Sequence, residues 1–68
     1  MDAKEIFELI IKADEKLKYA HEDNAGQRAQ QARALLEQAR TEALAIGNDA
    51  LVAQADTRLA DLPEAPPA

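Results

Sequence analysis

The sequence predicts an all-α fold of three antiparallel helices. Apolar residues recur at steps of three and four in three separate stretches, which is the period of an amphipathic α-helix. Strong helix formers, above all Ala, Glu, Leu, Gln, Lys and Arg, make up most of the 68 residues. No stretch alternates apolar and polar residues over the length of a β-strand. The connections between the stretches are short, and short connections make consecutive helices pack antiparallel.

The first helix is predicted over residues 3–21. Asp2 can cap its N-terminus, and Glu5, three residues later, is the partner expected in a capping box. The polar run HEDN at residues 21–24 ends the helix. Its apolar stripe consists of Ile6, Leu9, Ile10, Ala13, Leu17 and Ala20.

The second helix is predicted over residues 25–46. Asp23 or Asn24 can cap its start, and Gly47 can take the left-handed conformation that commonly ends a helix. Its stripe, with Leu35 beside it, consists of Ala25, Ala29, Ala32, Leu36, Ala39, Ala43 and Ile46.

The third helix is predicted over residues 49–62, with Asn48 or Asp49 as its cap. Prolines at 63, 66 and 67 stop it, because proline lacks the amide donor and clashes with the preceding turn. We therefore expect a three-helix domain at residues 1–62 and a Pro-rich flexible tail at residues 63–68. The stripe of this helix consists of Leu51, Val52, Ala55, Leu59 and Leu62.

The first and third helices contain similar segments. Residues 9–17 read LIIKADEKL and residues 51–59 read LVAQADTRL, at an offset of 42 residues. Any two amphipathic helices share a Leu/Ala stripe, so the apolar matches alone decide little. The matched Asp14 and Asp56 favour a true internal repeat, because Asp is a poor residue for a helix interior.

Part of the chain resembles a known repeat family. Residues 36–62 (LEQARTEALAIGNDALVAQADTRLADL) resemble the second helix, the turn and the following helix of a tetratricopeptide-type repeat. Ala32, Leu36 and Ala39 reproduce the A-x3-[FYL]-x2-A spacing of that family, although the chain lacks its usual Trp. The resemblance implies a helix–turn–helix repeat with a third capping helix, and a role in binding peptides or partner proteins. A simple three-helix bundle is the close alternative.

Composition excludes several classes of partner. Thirteen acidic residues outnumber eight basic ones, for a net charge of −5, whereas nucleic-acid binders gather Lys and Arg to neutralise phosphates. We therefore expect no nucleic-acid partner and no membrane partner. No cysteine is present, which closes disulfide and zinc–thiolate routes to stability. The N-terminal residues show no secretion-signal pattern, and we expect a cytoplasmic protein.

No pattern of residues indicates catalysis. His21-Glu22-Asp23 could in principle bind a divalent ion, but neighbouring helical side chains point in different directions, and zinc needs three or four ligands. Paired acids such as Asp14/Glu15 are expected to be solvated on polar faces. We expect no enzyme, cofactor, metal site or small-molecule substrate. Three pairs at helical spacing are predicted to stabilise individual helices: Glu8–Lys12, Asp14–Lys18 and Glu37–Arg40.

Phe7 and Ile11 are the candidate partner interface. Both fall on one flank of the first helix, outside its core stripe, where a preceding repeat would pack in a repeat array. An exposed apolar flank would pair two chains or dock another helix; the alternative is that the three helices wrap enough to bury both residues. Tyr19 is expected to be a half-buried packing residue.

These observations predict a protein–protein interaction or self-assembly module that homodimerises through the first helix. The uneven composition leaves a second hypothesis open. All four Lys and three of four Ile lie in residues 4–18, and all four Arg lie from residue 28 onward. Drift in base composition explains this, but so would a designed or minimised repeat scaffold with no natural partner. A small regulator of a larger protein and a metal binder at His21 also remain open.

Overall fold

The computed structural model describes residues 1–20 and 23–62, which form three α-helices. These are α1 (Ala3–Lys18), α2 (Ala25–Ala45) and α3 (Asp49–Asp61). The predicted all-α fold of three helices is confirmed, and the described residues contain no strand. Each helix begins at its predicted residue, but each ends earlier than predicted, at 18, 45 and 61 rather than 21, 46 and 62. The predicted tail at residues 63–68 lies outside the described residues.

Local hydrogen bonds explain where the helices begin. The Asp2 carboxylate accepts a 2.8 Å hydrogen bond from the Glu5 amide, and the Asp2 amide donates to Glu5 Oε1 at 3.2 Å, which completes the predicted capping box. Asn48 caps α3 by accepting a 3.1 Å bond from the Leu51 amide. Asn24 occupies the cap position of α2, where its side chain makes no capping hydrogen bond.

A single turn ends α2 and begins α3. Gly47 has a φ of 68°, the left-handed conformation that favours glycine. Its amide donates to the Leu44 carbonyl at 3.1 Å, and the Asn48 amide donates to the Ala43 carbonyl at 2.9 Å. Together these two bonds form a Schellman motif. Asn48 also caps α3, so every residue between α2 and α3 belongs to this turn. The turn therefore reverses the direction of the chain between the two helices.

The core lies between α2 and its two neighbours. It consists of residues from the three predicted stripes: Ile6, Leu9, Ile10, Ala13, Ala32, Leu36, Ala39, Ala43, Leu51, Ala55 and Leu62. Leu36 is the one large residue that α2 contributes, and its alanines allow α1 and α3 to approach closely. Ile46 is an exception, because it stays 46% exposed. The helix ends at Ala45, so Ile46 no longer continues the stripe.

Ion pairs between helices show how the helices run. The Met1 amino group lies 4.0 Å from Glu42 Oε1, so α1 begins beside the end of α2. Arg40 of α2 pairs with Asp56 of α3, and these residues lie at equal distances in sequence on either side of Asn48. Both neighbours of α2 are therefore antiparallel to it, as predicted. No helix in the described part of the chain is long and apolar enough to span a bilayer.

Candidate protein-interaction surface

Phe7 and Ile11 lie one helical turn apart on α1, and both are exposed, at 44% and 38%. Ile6 and Ile10, which precede them in sequence, are fully buried. The difference follows from helix geometry, because each residue is rotated by about 100° from the one before it. Two apolar residues per turn therefore serve different surfaces: one packs on α2 and α3, and the next remains in contact with solvent.

The two exposed side chains form part of a hollow of about 360 Å³ on α1. All of its lining residues belong to this one helix: Phe7, Glu8, Ile11, Lys12 and Glu15. Ligand pockets for small molecules are usually concave and enclosed by several elements. This hollow is instead an open surface on the outer face of one helix. Phe7 and Ile11 form an apolar ridge there, and charged residues lie beside it.

A second hollow continues the first toward the other end of α1. It lies between α1 and α2 and is lined by Lys12, Glu15, Lys16, Tyr19, Arg28 and Leu35. Tyr19 is 57% exposed, so the prediction that it is half-buried is wrong. The helix already ends at Lys18, and the Lys18 ammonium lies 5.6 Å from the Tyr19 ring centroid, within cation–π range.

An ion pair holds α3 beside this surface. Arg58 Nε donates to both oxygens of Asp14, at 2.9 and 3.2 Å, and Arg58 Nη1 donates to the Gln54 carbonyl at 3.3 Å. Asp14 lies two helical turns from Phe7 and therefore on the same side of α1. The third helix thus borders the flank that carries Phe7 and leaves it open.

The predicted pairs within helices are wrong for the part of the chain that the structure describes. Its side-chain ion pairs join different helices, Asp14 to Arg58 and Arg40 to Asp56. Neither Glu8 nor Glu37 takes part in an ion pair. The sequence did carry a signal for this arrangement, since Asp14 and Asp56 are the polar residues that match in the internal repeat.

The acidic residues considered for catalysis have structural roles or face solvent. Asp2 and Glu5 form the capping box, and the described residues include no buried polar or charged side chain. No three His, Asp or Glu side chains in residues 1–20 and 23–62 are grouped as metal ligands. His21 and Glu22, two members of the predicted metal-binding triplet, lie outside those ranges.

The residues that carry the family resemblance lie in the core of α2 and in the turn that follows it. Ala32, Leu36 and Ala39 are fully buried on α2, and Gly47 and Asn48 form the turn into α3. Three packed helices alone do not distinguish one repeat and its capping helix from a simple bundle.

No protein-family model, no curated protein and no solved structure matches this chain.

Proposed function

We propose that this chain is a non-enzymatic interaction or self-assembly module that homodimerises through Phe7 and Ile11. The observation that carries the proposal is the exposure of these two large apolar side chains in line on one helix. Scattered apolar residues are normal on a protein surface. Two in neighbouring turns form a ridge of the kind that packs into the groove of another helix.

The size of the surface sets the expected affinity. Phe7 and Ile11 together expose on the order of 150 Å² of apolar area, given that a whole aromatic side chain buries roughly 150–250 Å². A standard interface buries about 800 Å² per partner. The apolar pair alone is therefore too small for tight binding, and we expect a reversible dimer in the micromolar range or weaker.

Sedimentation equilibrium over a range of concentrations tests the proposal. We expect the unmodified chain to pass from monomer to dimer as its concentration rises, and Phe7→Glu to remain a monomer because its carboxylate would be desolvated at the interface. Leu44→Glu is the matched control, since Leu44 is an exposed apolar residue of α2 at 53%. Circular dichroism checks that all three chains stay helical. Equal masses for all three chains at every concentration would refute a dimer that forms through Phe7 and Ile11.

The sequence also supports a proposal for the compartment and the partners of this module. We place it in the cytoplasm, where a protein without cysteine is ordinary, and we assign it no cofactor, nucleic acid, membrane or small-molecule substrate. The resemblance to tetratricopeptide repeats supports a peptide or protein as an additional partner. That resemblance rests on Ala32, Leu36 and Ala39 together with the turn at Gly47.

A designed or minimised repeat scaffold without a natural partner is the second candidate. It is favoured by the agreement between local preferences and the fold, as in the capping box at Asp2 and the Schellman motif at Gly47. No buried side-chain nitrogen or oxygen among the described residues lacks a hydrogen-bond partner. A scaffold of this kind would sediment as a monomer, so the same measurement separates the two candidates.

A further inference from the structure

The outer face of α1 carries a regular pattern of charge beside Phe7 and Ile11. Four charged residues follow one another at steps of four, four and three, so they line one edge of the helix: Lys4, Glu8, Lys12 and Glu15. All four are exposed. Within residues 1–20 and 23–62, none of them makes an ion pair. Their charges alternate in sign, from positive at the start of the helix to negative near its end.

This order of charges distinguishes the two ways of pairing α1 with a second copy of itself. In a parallel pair the two-fold axis runs along the helices, so the charged edges of the two copies lie on opposite sides of the contact and their charges do not meet. In an antiparallel pair the order is reversed, and Lys4 lies opposite Glu15 while Glu8 lies opposite Lys12. Because the pair is symmetric, each of these contacts occurs twice.

The apolar residues and the charged residues agree on the same register. The midpoint of Lys4 and Glu15 falls between residues 9 and 10, that of Glu8 and Lys12 at residue 10, and that of Phe7 and Ile11 at residue 9. A spread of one residue is about 1.5 Å along a helix, which flexible side chains can absorb. We propose that two copies pair through antiparallel α1 helices about a two-fold axis near this point. Phe7 then packs on Ile11 of the second copy.

This inference rests on the proposed dimer and assigns its geometry. The apolar pair supplies the contact that excludes water, and the charges at its edge select the direction and the register. Charge patterns of this kind set orientation in helix pairs more than they set affinity. The occupant of the surface is thus a second copy of this chain, whose α1 runs in the opposite direction and presents the same charges in reverse order.

Disulfide trapping tests whether the two α1 helices run antiparallel. The chain contains no cysteine, so the introduced cysteines are the only ones that can form a disulfide. Lys4→Cys and Glu15→Cys chains are mixed in equal amounts and oxidised gently, and the products are separated by mass. In the proposed pair residue 4 meets residue 15, while two copies of residue 4 lie about 16 Å apart along the axis, far beyond the roughly 7 Å limit between Cα atoms. A predominance of the mixed 4–15 disulfide supports the proposal. A predominance of 4–4 and 15–15 products, or a statistical mixture, overturns it.

Charge reversal tests the register without covalent trapping. Lys4→Glu and Glu15→Lys are each expected to raise the dimer dissociation constant about tenfold, because each change turns two attractive contacts into repulsive ones. The double variant restores opposite charges at residues 4 and 15 and should return to within about threefold of the unmodified chain. If both single variants dimerise normally while Phe7→Glu does not, the register is wrong and the proposed function stands. If the unmodified chain never dimerises, both are wrong.

Discussion

At the scale of single residues, the core depends on few large side chains. Eleven of the described residues are buried, and five of these are alanine. The large side chains that are fully buried are Ile6, Ile10 and Leu36. Each therefore carries an unusual share of the apolar area removed from water, which is the main favourable term in folding.

Leu36→Ala is expected to destabilise the fold by about 2–5 kcal/mol, the range for losing a buried leucine side chain and leaving a cavity. Leu36 is the largest residue that α2 contributes to the core, and no neighbouring alanine can fill the space. Leu44→Ala is the matched control in the same helix, since Leu44 is 53% exposed, and it should change stability by less than about 0.5 kcal/mol. Urea unfolding followed by circular dichroism measures both. Equal losses would mean that the burial pattern is wrong.

The wrong predictions have two physical causes, both of which lie outside the periodicity of a single helix. Periodicity identified the stripes because alternation between core and solvent is a local property of a helix. Ile46 and Tyr19 both lie just beyond a helix end, where the period no longer sets the direction of a side chain. The partners of Asp14 and Arg40 lie on other helices, so spacing within one helix could not reveal them. The exposure of Phe7 and Ile11 agrees with the flank position that the sequence predicts.

At the scale of the helices, starts were easier to predict than ends. Asp2 and Asn48 cap their helices through bonds to residues three positions later, and such bonds follow from the local sequence. Ends depend more on where the next segment must go. The first helix stops at Lys18 although its apolar stripe continues to Ala20.

The two glycines of the chain should respond differently to replacement by alanine. Gly47→Ala is expected to cost about 1 kcal/mol, because a side chain disfavours the left-handed conformation at φ 68°. Gly26→Ala lies in the first turn of α2 and should be neutral or stabilise by up to about 0.5 kcal/mol. A methyl group at either position meets no atom within 4 Å, so crowding cannot explain a difference. Thermal unfolding compares the two variants, and a gain in stability for Gly47→Ala would contradict the left-handed conformation of this residue.

At the scale of the whole molecule, size limits stability. A domain of about 60 residues buries only about 60% of the surface of its unfolded chain. The chain has no disulfide, and the ion pairs between its helices involve side chains that are 31–48% exposed, so each contributes little. Self-association through α1 would add buried apolar area to a fold that has little of its own.

The melting temperature of the unmodified chain is therefore expected to rise with its own concentration. A partner that binds only the folded state stabilises it by about 2.7 kcal/mol at a hundredfold excess over the dissociation constant. In a domain of this size, about 1 kcal/mol moves the midpoint by roughly 4–8 °C, so an increase of several degrees is measurable by calorimetry. Phe7→Glu should show no such dependence, and Leu44→Glu should follow the unmodified chain. The first helix contributes to the core through Ile6 and to the proposed interface through Phe7. If the midpoint does not depend on concentration for any of the three chains, α1 contributes to the core but not to an interface between copies.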